Sequence, residues 1–215
     1  MKVDSVKSPA FCALPVSEAA VKGFKSKYRL YEAGVKDKPF LENLGEKVNL
    51  RYLMPNLNDI EFHAWDTIFR HSVVIPDDMS KVFVETCDNV PCGVLNYIKT
   101  RNLFHINYLV TFPDRFMHRV PCAGQVLFNE LLRRFLKSDV DKIELTAIRK
   151  SPFNAVDWYR KMGFFPVCGD TMSDYMRLWR DNAVKTFNSQ NEFISVNPIK
   201  SAREIDLNKI VRFCE

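Results

Sequence analysis

The sequence predicts an α/β (α+β) chain with a mixed, mostly antiparallel central sheet flanked by helices. Three observations carry that reading. KVFVET (81–86) and VPCGVLNYI (90–98) flank the turn pair Asp88-Asn89, the chemistry of an antiparallel hairpin. LFHINYLVTF (103–112) is apolar almost throughout, as expected of a central strand covered on both faces. After Pro113 the apolar spacing changes to threes and fours, so a helix follows that strand.

The elements are justified in turn. Ser17 opens a predicted helix over 17–27, and the stretch from there to 50 has no clear period. Asn58, Asp59 and Glu61 form a capping-box start, after which Ile60, Ala64, Ile68 and Phe62, Trp65, Phe69 follow helical spacing to 71. Past the hairpin and central strand, Ala123, Val126, Leu127, Phe128, Leu131, Leu132 and Phe135 mark a long helix. DKIELTAI (141–148) is a strand. AVDWYRKMGF (155–164) is a short amphipathic helix with Ala155, Trp158, Tyr159 and Met162 in one stripe. Ser151-Pro152 supplies its capping hydroxyl and first-turn proline, and Gly163 sits where a left-handed residue ends a helix. FFPV (164–167), YMRLW (175–179) and EFISV (192–196) read as strands. Ser201 and Glu204 stand in capping-box register ahead of a helix at 202–213. The chain thus divides into a partly helical segment 1–50 packed on the core, a domain 51–180, and an extension 181–215. The tail helix is expected to pack on the core or on a partner chain, which makes a homodimer the candidate assembly.

Composition narrows the function classes. A chain of 215 residues, 47% apolar, buries a real core. No run of roughly 18 apolar residues is present, so no membrane span is expected. The opening MKVDSVKSPAFCALPVSEAA is a poor secretory leader, its apolar centre broken by Pro15. Six cysteines are scattered without a CxxC pair, which reads as reduced thiols in a cytoplasmic protein. Cys87 and Cys92 flank the hairpin turn. The four histidines show no HExxH and no zinc spacing, so no metal is expected. A net charge of +5 slightly favours an anionic ligand but lacks the dense basic patch of a nucleic-acid binder, and no nucleic-acid partner is expected. Lys22–Lys27 and Arg133-Arg134 read as solvated helix faces.

The chemistry concentrates in LVTFPDRFMHRVPCAGQVLFNELL, 109–132. A strand ends, an arginine-bearing loop follows, and a helix opens at Ala123-Gly124. Unpaired amides and the positive dipole end make a helix N-terminus an anion site, and glycine there lets a phosphate approach the backbone. Arg115 and Arg119 are placed to add charge-assisted bonds. The plainer alternative is a loop-to-helix junction with two solvated arginines.

Together, this segment and AVDWYRKMGF resemble the GCN5-related N-acetyltransferase (GNAT) family. Its pyrophosphate signature, R/Q-x-x-G-x-G/A followed by x-x-L, matches Arg119, Cys122, Gly124 and Leu127 in register. A register on Arg115 would instead put His118 and Val120 at the glycine positions. Ala155, Trp158-Tyr159 and Gly163-Phe164 fit the later family element, and the likeness spans 51–180. Three departures stand out: Cys122 replaces the first glycine, the loop from Val110 to Arg119 is longer, and Pro152 stands where an asparagine is frequent.

The resemblance implies transfer of an acetyl group from acetyl-CoA, without a metal, to a small-molecule or peptide amine. It implies an oxyanion donor near Leu109 and Val110, where the family's central strand splays. The diphosphate would meet Arg115, Arg119, the amides of Val120, Cys122, Ala123 and Gly124, and Gln125. Tyr159 takes the position of the acid that protonates the leaving thiolate. His105, on the central strand, is the candidate base, with Glu85 a weaker one. The rival reading is a catalytically inactive GNAT-fold binding or assembly module.

Overall fold

The computed structural model describes residues 15–199 apart from 76, 115–116, 150–154 and 171–172. The strands are β1 Pro15–Val21, β2 Lys27–Ala33, β3 Ser80–Cys87, β4 Val90–Lys99, β5 Phe104–Thr111, β6 Lys142–Ile148, β7 Phe165–Gly169, β8 Ser173–Trp179 and β9 Ile194–Pro198. The helices are α1 Lys38–Lys47, α2 Leu50–Leu53, α3 Asp59–Ser72, α4 Ala123–Leu136, α5 Ala155–Lys161 and α6 Arg180–Asn191. All described strands join one sheet in the order β7-β8-β6-β5-β4-β3-β2-β1-β9. Every neighbouring pair is antiparallel except β5 and β6.

Local chemistry explains most elements. Asp88 and Asn89 both adopt positive φ, 50° and 68°, the two left-handed residues of a type I′ hairpin between β3 and β4. At the start of α3 the capping box closes both ways: Glu61 N–H donates to Asn58 Oδ1 at 3.0 Å and Asn58 N–H to Glu61 Oε2 at 3.1 Å. Gly163 has φ +86° and ends α5 in a Schellman motif, with Phe164 N–H bonded to the Tyr159 carbonyl and Gly163 N–H to that of Arg160. A side chain there would meet Thr186 Oγ1 at 2.8 Å.

Two apolar layers cover the sheet. On one face Phe104, Ile106, Ile143, Leu145 and Met176 pack with Val126, Leu127, Phe128 and Leu131 of α4, Val156 and Tyr159 of α5 and Ala183 of α6. On the other, Val82, Val84, Val94, Val110 and Phe112 pack with Leu41 and Leu44 of α1 and Phe69 of α3. Burying large apolar side chains in this way is worth about 1.5–3 kcal/mol each.

The helix expected over 17–27 is not formed. Those residues make most of β1, the following turn and the first residue of β2. The cause is tertiary: β1 lies between β2 and the distant β9, and its residues alternate between buried and partly exposed. Lys22 to Lys27 is accordingly a strand connection rather than a helix face. Helices α1 and α6 were unread in the sequence; α6 buries only Ala183 and Gln190, too few positions to announce a period. The tail helix at 202–213 and the Ser151-Pro152 start lie outside the described residues. No helix among the described residues is long and apolar enough to cross a membrane.

The sheet opens at its one parallel seam. Strand β6 pairs with β8 along all seven residues, Lys142 to Ile148. Against β5 it pairs only through Phe104↔Ile143, His105↔Glu144 and Ile106↔Leu145. Beyond Ile106 the two strands part. At that level the β4–β5 register skips one residue, Asn107, between the pairs Tyr97↔Ile106 and Asn96↔Tyr108. Such a bulge increases twist and bends the strand, which steers β5 away from β6.

Candidate active site

The start of α4 lies beside this opening. Its N-cap, Cys122, adopts φ 56°, ψ 11°, and supplies no side-chain cap. A left-handed residue at this point costs a non-glycine side chain roughly 1–2 kcal/mol. That backbone is one glycine would adopt freely, so the Cys122 departure leaves the turn itself intact. The thiol packs against the α4-side core, and burial raises its pKa while the nearby Arg119 charge opposes the rise. The Tyr28 hydroxyl donates to the Pro121 carbonyl at 2.7 Å and pins the turn from below. The amides of the first helical turn have no intrahelical acceptor, and the dipole end is positive.

The preceding loop is tied to itself. Asp114 Oδ1 accepts from His118 N–H at 2.8 Å, and Asp114 N–H donates to the His118 carbonyl at 2.9 Å. Arg119 follows, exposed, with no ion pair among the described residues. Val120 turns into the core. Arg115 lies outside the described residues.

Gly124 is where three segments meet. A Cβ placed on it would lie 3.6 Å from Trp158 Cζ2, 3.7 Å from Leu109 Cδ2 and 3.8 Å from Thr111 Cγ2. The helix start, the splayed half of β5 and the aromatic helix α5 therefore touch. These are ordinary van der Waals distances, so the packing itself would accept an alanine here. Next to Trp158, Tyr159 is 8% exposed, with its ring edge-to-face on Trp158 at 4.9 Å and on Phe164 at 5.4 Å. Burial pushes its phenol pKa up, so the hydroxyl keeps its proton at neutral pH. Gln125 is partly exposed on the third residue of α4.

The remaining expected residues are spread more widely. Leu109 and Val110 are in the stretch of β5 that pairs with β4 but no longer with β6, Leu109 toward α4 and Val110 in the α1–α3 layer. His105 precedes the opening, inside the paired part of the seam opposite Glu144. Burial lowers its pKa, and Glu144 partly offsets the drop. Glu85 is fully enclosed beneath α4, one oxygen 3.1 Å from where a Cβ on Gly93 would lie and close to Leu127. Neither oxygen has a hydrogen-bond partner among the described residues, and desolvation holds the carboxyl well above its ordinary range. Trp158 was read as part of the aromatic motif but not as a site residue, and Thr111 and the Asn107 bulge were not read at all. Only Trp158, inside the aromatic motif, carried a sequence signal.

No protein-family model and no curated protein matches the chain. Solved structures do. The chain is similar to the PaiA N-acetyltransferase from Thermoplasma acidophilum, solved in complex with coenzyme A, at a TM-score of 0.50 and 15% identity, over 70% of this chain and 98% of that one. An uncharacterized protein from Bacillus halodurans superposes at 0.51 and 15% identity, over 86% and 98%. A putative GNAT-family acetyltransferase from Desulfovibrio desulfuricans gives 0.50 and 10%, over 71% and 99%. The split sheet and these likenesses define an acyl-CoA N-acyltransferase type of architecture. More narrowly, the fold is that of the GCN5-related N-acetyltransferases, and the expectation drawn from the two motifs holds for the fold.

Proposed function

We propose that the protein is an acyl-CoA-dependent N-acyltransferase that moves an acetyl group from acetyl-CoA to an amine. The observation that carries this reading is the meeting at Gly124 of the α4 N-terminus, Leu109 of the open strand and Trp158 beside Tyr159. This supports a reading in which the helix end holds an anion, the strand that has left β6 offers backbone groups, and the phenol next in sequence to Trp158 serves the leaving group. The first of the structural neighbours above carries coenzyme A on the same fold.

The residues fit the co-substrate. The amides of Cys122, Ala123 and Gly124, with Gln125 and the exposed Arg119, would hold a diphosphate; Arg115 is a further candidate. Val120, turned inward, offers its backbone. Between Asn107 and Thr111, N–H groups facing the opening are free to donate to the thioester carbonyl oxygen as it gains charge. The amine nitrogen bonds the acetyl carbon, the carbon–sulfur bond breaks, and Tyr159 donates its proton toward the departing sulfur. Because burial makes this phenol a weaker acid, its part is chiefly a hydrogen bond that strengthens as the sulfur becomes anionic. The acceptor is a small-molecule or peptide amine, and a cytoplasmic, homodimeric enzyme is the form we propose.

Calorimetric titration with acetyl-CoA tests the reading. Gln125→Glu adds a carboxylate at the third residue of α4, which suits an empty helix N-terminus and repels a diphosphate. Wild type should bind, and the variant should bind about tenfold more weakly or worse, a factor of ten being about 1.4 kcal/mol. No wild-type binding at millimolar acetyl-CoA would defeat the proposal.

A further inference from the structure

The phenol and the α4 terminus occupy one face of the sheet, so the amine's proton must be sought on the other. There the Asn107 bulge organises the end of α3. Asn107 Nδ2 donates to Asn96 Oδ1 at 2.9 Å, and Asn96 Nδ2 donates to the carbonyls of Ser72 at 3.2 Å and Val74 at 2.8 Å. Asn96 is almost fully buried, so this relay fixes the last turn of α3 against β4 and β5. His71 stands in that turn. Its ring stacks on Tyr108, centroids 5.7 Å apart and planes 26° apart, and Tyr108 is the second residue beyond the last β6-paired position, Ile106. His71 Nδ1 lies 2.7 Å from the Thr67 carbonyl oxygen. A carbonyl only accepts, so in the neutral ring Nδ1 carries the hydrogen and Nε2 keeps its lone pair.

We propose that His71 is the general base for the acceptor amine, taking its proton through Nε2 on the α3 side of the split while Tyr159 serves the thiolate from the α4 side. This rests on the acyl-transfer reading. The step balances. The ammonium form of the amine gives one proton to His71 and becomes neutral. Its nitrogen then bonds the acetyl carbon, the carbon–sulfur bond breaks, the second nitrogen-bound proton leaves to water, and sulfur takes up a proton delivered by way of the Tyr159 hydroxyl. Water then removes the proton held on His71 and restores the phenol. The arrangement separates the two substrates: the thioester approaches from the α4–α5 face and the amine from the α3 face, and they meet only where β5 and β6 part. His71 suits the role better than the two sequence candidates. His105 sits on the same face but inside the paired ladder, half-buried beside Glu144. Glu85 is sealed in the opposite layer.

Two small amines of similar shape test the assignment. Ethylamine is protonated near neutral pH and needs a base. 2,2,2-Trifluoroethylamine, its basicity drained by fluorine, is mostly neutral and does not. With acetyl-CoA at pH 7, His71→Gln should lower kcat/KM for ethylamine by about 100-fold or more and for trifluoroethylamine by less than about tenfold. His71→Asn, whose amide N–H can still donate to Thr67, should behave alike, which separates proton transfer from anchoring of the helix end. Equal losses on both amines, no loss on either, or the selective loss appearing in His105→Gln instead would each overturn the assignment to His71. A wild type that turns over neither amine and does not bind acetyl-CoA would overturn the reading beneath it, a result distinct from any of these.

Discussion

Strand β6 has two unlike flanks. Toward β8 it is paired from end to end, whereas toward β5 three residue pairs hold it before the strands diverge. The paired portion places Ile143 and Leu145 in the core beneath α4, both nearly inaccessible. The open portion places Leu109 and Thr111 beside Gly124 and Trp158, while the bulge at Asn107 faces the end of α3. One seam therefore does two jobs: its first half closes the hydrophobic core, and its second half leaves backbone groups unpaired for a ligand. Backbone amides without a partner are costly when buried, so such an opening persists only where water or a substrate satisfies them.

Substitutions on either half of the seam should separate along that line. The largest effect belongs to the closed half. Ile143→Ala should cost about 2–5 kcal/mol in urea unfolding. Both flanks should still melt in one transition; two separate transitions would show that three pairs do not couple them. Tyr159→Phe, at the open half, should leave stability near wild type yet reduce kcat about 100-fold, roughly 2.7 kcal/mol of barrier. Acetyl-CoA affinity should barely move, and an unchanged kcat would remove the phenol from catalysis.

Glu85 tests the layer beneath α4. The carboxyl is raised by burial, so the folded state keeps its proton while the unfolded chain loses it above about 4.5. The stability it permits is complete below that pH and declines as pH rises toward the folded value. Glu85→Met fills a similar volume without an unpartnered oxygen and should stabilise by about 1–3 kcal/mol at pH 7, with less gain near pH 4. Thermal melts at the two pH values decide it, and a pH-independent difference would mean the carboxyl is solvated. The smallest effect is that of Gln125→Glu on the ligand-free protein, a gain of about 0.3–1 kcal/mol from the helix dipole alongside its weaker acetyl-CoA binding. Loss of stability there would indicate that Gln125 packs rather than faces a ligand.

How far these features could be read beforehand depended on the range of the interactions that make them. The capping box at Asn58 and Glu61, the Asp88-Asn89 turn and the Gly163 helix end each rest on residues a few positions apart, and each is found as expected. Ala19 and Val21 suited a helix equally well until β2 and β9 claimed them as a strand. For the site, Gly124 and Tyr159 were legible as motif positions, and their association with Leu109 was not. His71 gave no signal, because its meaning depends on Tyr108 beneath it and on the Asn96–Asn107 relay that holds its helix in place.

By itself the sequence determined the hairpin, the central strand, the long helix after it and the glycine-bearing turn at that helix's start, because propensity, capping and apolar period act over a few residues. Only the tertiary structure decided where β5 leaves β6, on which side of that split His71 and His105 lie and that Glu85 is shut away with no hydrogen-bond partner among the described residues. Those outcomes depend on contacts between segments far apart in the chain, where packing and desolvation outweigh any local preference.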